Sequence, residues 1–283
     1  MNTQSRHVIS KTRGIAASDG AGVRLTRLIG SPELNFIDPF LMLDYFESDD
    51  PDDYIAGFPP HPHRGFETVT YLVAGKMRHK DNQGHEGVIE AGGVQWMTAG
   101  RGIIHSEMPE QENGLLKGFQ LWVNLPSYAK MSDPSYQEFA PDQIPTEERE
   151  NGVKVKVITG ETTNNTHGPV SNKFVNPKMF DIYLDKNQTF HETLSNQANA
   201  FIYIVSGILV VKNTVSDTPV NAKELGLLSP GDDLWVEAKS DNTQFLLISA
   251  EPLNEAIARG GPFVMNTQEE VQQAFSDYRQ GLF

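Results

Sequence analysis

Along the chain, apolar residues gather in short runs broken by Gly, Pro, Asn and Asp, the pattern of strands joined by tight turns. Residues 68–73, 118–123, 153–158 and 201–205 are the clearest runs. Within 153–157 apolar and lysine positions alternate strictly, which predicts a strand with one buried and one wet face. Helix signals are few. Thr267 and Glu270 form a T-x-x-E capping box ahead of Val271, Ala274, Phe275 and Tyr278, spaced i, i+3, i+4 and i+7. That stripe predicts a short C-terminal helix docked on a barrel, with no chemistry of its own.

An internal echo organises the strands. Tyr71-Leu-Val-Ala-Gly75 recurs as Tyr203-Ile-Val-Ser-Gly207. Each copy precedes a polar turn and then a glycine corner, Glu90-Ala-Gly-Gly93 in one and Leu228-Ser-Pro-Gly-Asp232 in the other. Two echoes in the same order predict a duplicated β unit in an all-β protein. The Pro-rich, charged residues 134–151 read as the connection between a domain of residues 1–133 and another of residues 152–283, the helix belonging to the second.

Composition narrows the function classes. The 283 residues are 38% hydrophobic and 21% charged, ordinary for a globular protein. No apolar run reaches the length of a membrane span, and the first residues lack the apolar core of a signal peptide, so a cytoplasmic location is expected. Without cysteine there is no disulfide, no thiolate nucleophile and no thiolate metal site. The formal charge of −14 repels phosphate backbones, so direct nucleic-acid binding is not expected. Any regulatory role would run through a protein partner.

The chemistry-bearing residues stand in pairs. His61-Pro-His63 places two imidazoles on one face of a strand, because side chains two apart share a face. His105-Ser-Glu107 repeats that geometry with a carboxylate. Facing each other across a barrel, these strands would offer three imidazoles and a carboxylate to one Fe(II), Mn(II), Ni(II), Cu(II) or Zn(II) ion, with coordination positions to spare. Glu67 competes with Glu107, since it would share the face of His63 on a strand running straight through Gly65, and Gly65 can also mark a bulge. The residues alone leave that contest open. His7, His79, His85, His167 and His191 sit in polar or turn-like contexts and read as solvated surface groups.

Gly57…His61-Pro-His63…Glu67…Gly75 and Gly102-Ile-Ile-His105 resemble the two metal-binding motifs of the cupin superfamily. More narrowly, residues 61–71 and 95–109 resemble the signature segments of pirins, as do 38–44, 118–126 and 261–267. The resemblance spans nearly the whole chain. It implies two tandem cupin barrels of the double-stranded β-helix type, with one metal in the first barrel. By that resemblance the ligands are His61, His63, His105 and Glu107, the residue at Glu67 is not a ligand, and the metal is Fe(II). Counting back from Gly207 as the ligands stand to Gly75 lands on Thr193, Ser195 and Asn199, while the region of the second motif offers Asp241-Asn-Thr243. The second barrel is therefore expected to hold no metal.

Pirins imply two functions of different class. One is a quercetin 2,3-dioxygenase-type oxidoreductase, in which a flavonol and O2 meet at the metal and Glu107 acts as ligand, general base, or both. The other is an iron-dependent redox sensor that binds a transcription factor or a metabolic enzyme. Phe58, Phe66, Met97 and Met108 flank the motifs and either line a flavonol pocket or fill the core, with core the ordinary fate of such side chains.

Overall fold

The computed structural model describes residues 4–213 and 216–283. Contacts divide the chain into two compact units: Ile15–Pro141 with Leu253–Phe283, and the residues up to Gly14 with Asp142–Pro252. Each unit holds one seven-stranded and one four-stranded antiparallel sheet, and the first also has a two-stranded sheet of Ala258–Gly260 and Phe263–Met265.

In the first barrel the large sheet runs in the order Ser135–Phe139, Val94–Thr98, Phe66–Ala74, Leu116–Asn124, Phe40–Ser48, Val23–Ile29 and Ile15–Asp19. Its small sheet runs Phe58–His63, Ile103–Pro109, Lys76–Asp81 and Glu86–Glu90. The second barrel repeats that order strand for strand. Its large sheet is Val8–Thr12, Leu225–Leu228, Asn199–Ser206, Thr243–Ala250, Lys178–Leu184, Lys154–Thr159 and Thr146–Glu148. Its small sheet is Thr189–Thr193, Asp233–Ala238, Ile208–Val211 and Thr218–Asn221. The echo seen in the sequence is the same corner in each copy, with Gly75 at φ +87° and Gly207 at φ +82°, a left-handed conformation that costs glycine little.

Three boundaries differ from the sequence expectation. Residues 134–151 are not a free connection. Ser135–Phe139 pairs with the edge strand Val94–Thr98, and Thr146–Glu148 pairs with Lys154–Thr159, because backbone groups at a sheet edge need partners. The first strand, Val8–Thr12, pairs with Leu225–Leu228 and so completes the second barrel. The helix Gln268–Arg279 belongs with the first barrel, not with residues 152–252. Its capping box forms as predicted, and Val271 and Ala274 are buried, but Phe275 and Tyr278 keep more than a third of their surface exposed. The lysine-alternating strand holds its pattern through Val157. A register shift after Val157 then buries Ile158 as well.

In the second barrel the place of His61 is taken by the buried, Arg149-paired carboxylate of Glu192, and the other three ligand positions by hydrocarbon. Its strand pairing aligns His105 with Leu234, Glu107 with Val236 and His63 with Leu194, and all three apolar side chains lie in its core. The register is one residue away from the Thr193 and Ser195 reached by counting, because the stretch between Leu194 and Asn199 is one residue longer than that between His63 and Glu67. No helix among the described residues is long and apolar enough to cross a membrane.

Candidate metal centre

His61 and His63 end the strand Phe58–His63, where the neighbouring strand sets His105 opposite His61 and Ile103 opposite His63. Strand alternation turns both imidazoles of the first strand inward beside that of His105. The ring centroids of His61, His63 and His105 lie 4.5 to 5.0 Å apart. Among the described residues these three form a group whose ligand atoms all lie within 4.8 Å of one another.

The surroundings leave these rings suited to a cation. The His61 Nδ1 sits 2.8 Å from the Pro59 carbonyl, which fixes that ring and leaves its Nε2 for other work. The rings of Phe66 and Trp122 pack edge-on against His63. His63 Nδ1 and both ring nitrogens of His105 are buried without a hydrogen-bond partner. Burial holds the His63 imidazolium pKa well below its ordinary range, helped by His61 and opposed by the Pro262 carbonyl. Burial does the same to His105, with the other three nearby histidines adding to it. Neutral imidazoles with unused lone pairs in a dry site are costly unless something accepts those pairs, so the residues fit a divalent transition metal.

Glu107 is buried at the same site, but its carboxylate is outside the imidazole group. The Thr70 hydroxyl lies 2.6 Å from Glu107 Oε1 and 2.8 Å from Gln120 Oε1, and Gln120 Nε2 donates to Glu107 Oε2 at 2.7 Å. Each oxygen accepts one of these bonds and keeps a further lone pair that could face an ion. Glu67 is placed differently. The strand breaks at Gly65, with φ +87°, and restarts at Phe66. Three residues before Thr70, Glu67 lies on the opposite face of that strand, where it accepts a 2.7 Å bond from Thr98.

Thr70 and Gln120 belong to a polar row across the large sheet. Strand pairing puts Arg27, Asp44, Gln120, Thr70, Gln95 and Glu138 side by side. From the small sheet His79, opposite Glu107, reaches over to Glu138. His79 is therefore a correction: it is buried, because the strand after Gly75 turns it inward beside Glu107. His85 is held by Asp81 at 2.8 Å, and His191 is stacked on Trp235 with Asp233 2.7 Å from its Nε2. His7 and His167 are exposed.

A pocket of about 600 Å³ opens onto the site, lined by His61, His63, Glu107, Gln120 and Trp122, with Phe58, Met42 and Leu25 as apolar wall. Phe66 and Met97 are fully buried in the core instead. Arg259, Gly261 and Pro262 line the same pocket from far along the chain, and nothing in their spacing announces it. Thr70 and Gln120 did carry a signal, as polar residues inside largely apolar runs at positions that alternation turns inward.

With two barrels of one strand order and a histidine cluster in the first, the chain can be compared with known proteins. The pirin family model matches residues 22–123, and that of the pirin C-terminal cupin domain matches residues 179–283. The chain belongs to the pirin family. Both barrels are accordingly cupins. A pirin-like protein of Caulobacter vibrioides is 50% identical over 98% of this chain and 99% of its own length. A Pseudomonas aeruginosa relative, provisionally named a quercetin 2,3-dioxygenase, is 45% identical over 99% of each chain. The crystal structure of a quercetin 2,3-dioxygenase from Acinetobacter baumannii superposes with a TM-score of 0.89 at 33% identity, covering 99% of this chain and 98% of that one.

Proposed function

We propose that this pirin is a metal-dependent dioxygenase of the quercetin 2,3-dioxygenase type, acting on a flavonol at one Fe(II) held by His61, His63, His105 and Glu107. The observation that carries the reading is the set of buried, unpartnered imidazole nitrogens beside a pocket large enough for a flat aromatic ligand. The names of the Pseudomonas and Acinetobacter relatives supply the reaction class.

A bound ion would supply Lewis acidity at the flavonol 3-oxygen and a route for electrons to O2. The protein does the rest. The imidazoles of His63 and His105 enter as neutral donors, because burial keeps them unprotonated. Glu107 takes the proton of the 3-hydroxyl as general base. A proton on Oε1 closes a ring of hydrogen bonds: Glu107 donates to Thr70, the Thr70 hydroxyl to Gln120 Oε1, and Gln120 Nε2 to Glu107 Oε2. Without that proton the Thr70 hydroxyl donates to the carboxylate instead. The same two partners thus hold Glu107 in both states. Trp122 and Phe58 offer apolar surface to the ligand rings.

The test is anaerobic Fe(II)-loaded protein mixed with quercetin and O2, following CO release and the loss of flavonol absorbance. Turnover no faster than that of metal-free protein, or unchanged by Glu107→Ala, would sink the mechanism.

A further inference from the structure

Two guanidinium groups stand in the wall of the pocket, and the reaction as proposed uses neither. Arg27 is matched by carboxylates: it donates to both oxygens of Asp44, at 2.9 and 2.7 Å, and to Asp19 at 2.8 Å. Arg259 is not. It lies on the short strand Ala258–Gly260, with its guanidinium 5.1 Å from the centre of the Trp122 ring. Among the described residues its side chain makes one hydrogen bond, to the Leu41 carbonyl at 3.3 Å, and no carboxylate lies within ion-pair distance of it. A guanidinium carries five N–H donors in a planar fork, so most of them remain for whatever enters the pocket. Arg259 is exposed, so its unused donors reach solvent at the pocket wall, where an incoming anion would replace water.

We infer that Arg259 selects the substrate class, favouring an aromatic ligand that carries an anionic group, a carboxylate or an ionised phenol, on the end away from the imidazoles. The ligand ring lies along the Trp122 wall, and the anion meets the guanidinium in a bidentate pair. The proposal deepens the flavonol reading and rests on it only for which end of the ligand faces His61, His63 and Glu107. Its competitor is a packing role, in which Arg259 merely covers the face of Trp122.

The experiment titrates the full-length Fe(II) protein under argon with 2-naphthoate and with its neutral counterpart 2-naphthamide, by calorimetry. The expected result is tighter binding of the carboxylate by about tenfold, the scale of a charge-assisted pair. Arg259→Gln should bring that ratio to near one while leaving naphthamide binding unchanged, and Arg259→Lys should retain part of it. A wild-type ratio near one overturns the proposal. So does a ratio that survives Arg259→Gln, which would assign the anion to the ion itself, or an equal loss for both ligands, which would mean packing. Quercetin turnover is read separately. Its absence with the ratio intact overturns the flavonol reading alone, and a missing ratio with turnover intact overturns only the role of Arg259.

Discussion

His105 has the least ordinary surroundings of any residue here, since neither of its ring nitrogens finds a partner in a fully buried position. A buried donor or acceptor left unmade costs about 1–3 kcal/mol, which a coordinated ion would remove. His105→Ala should therefore lower metal affinity by more than about 100-fold while far-ultraviolet circular dichroism stays the same. Metal content after gel filtration checks this, and a variant that keeps a full ion would remove His105 from the ligand set. Thr70→Val separates the carboxylate's two roles. It deletes the hydroxyl that orients Glu107 without touching an imidazole. The ion should be retained, while kcat for the flavonol falls by about tenfold or more. A loss of metal instead would show that Thr70 supports binding rather than proton transfer.

At the scale of elements, the segments after the first barrel's strands are held by one buried lysine. Lys130 Nζ donates to the Gly65 carbonyl at 2.8 Å, to Asn124 Oδ1 at 2.8 Å and to the Val264 carbonyl at 2.9 Å. It thereby ties the loop after His63 to the strand Phe263–Met265. Lys130→Met strands three acceptors and should lower unfolding free energy by about 2 kcal/mol, measured with urea. Burial brings the Lys130 pKa down to about 8. A lowered folded-state pKa means that the unfolded chain binds more protons between pH 8 and the ordinary lysine range. Stability from this group is thus lost as pH falls through 8 and recovered as pH rises. The gap between wild type and Lys130→Met should widen as pH rises from about 7.5 to about 10.5, by less than the full proton linkage because the neutral amine keeps two of the three donated bonds. A gap independent of pH would show that Lys130 titrates normally.

The whole molecule puts distant chain segments into each barrel. The first barrel takes Leu253–Phe283, and the second takes the residues up to Gly14. Arg6 shows how firmly the second is bound: it is fully buried and donates to the carbonyls of Ser229, Ser195 and Ala198 at 3.0, 2.6 and 2.9 Å. A chain ended after Pro252 would lose Pro262 and Arg259 from the pocket and the Val264 acceptor from Lys130. It should bind less than about a tenth of the metal of the full chain, because the His63 loop loses its support. Full metal loading in that truncation would show that residues 15–141 build the site unaided.

The sequence by itself determined the strands, the duplication and the three histidines, because each is a local matter of period, turn residue or spacing. Runs such as 68–73 become strands through their alternation, and His61 and His63 share a face because a strand repeats every two residues. Tertiary structure decided the rest. That Glu67 faces away depends on the break at Gly65, and that His79 turns inward depends on its pairing with Glu107. The engagement of Glu107 by Thr70 and Gln120 depends on how the two sheets face each other. The pocket wall of Arg259 and Pro262 comes from a segment about 200 residues beyond His61 and His63, and no periodicity reaches across that distance.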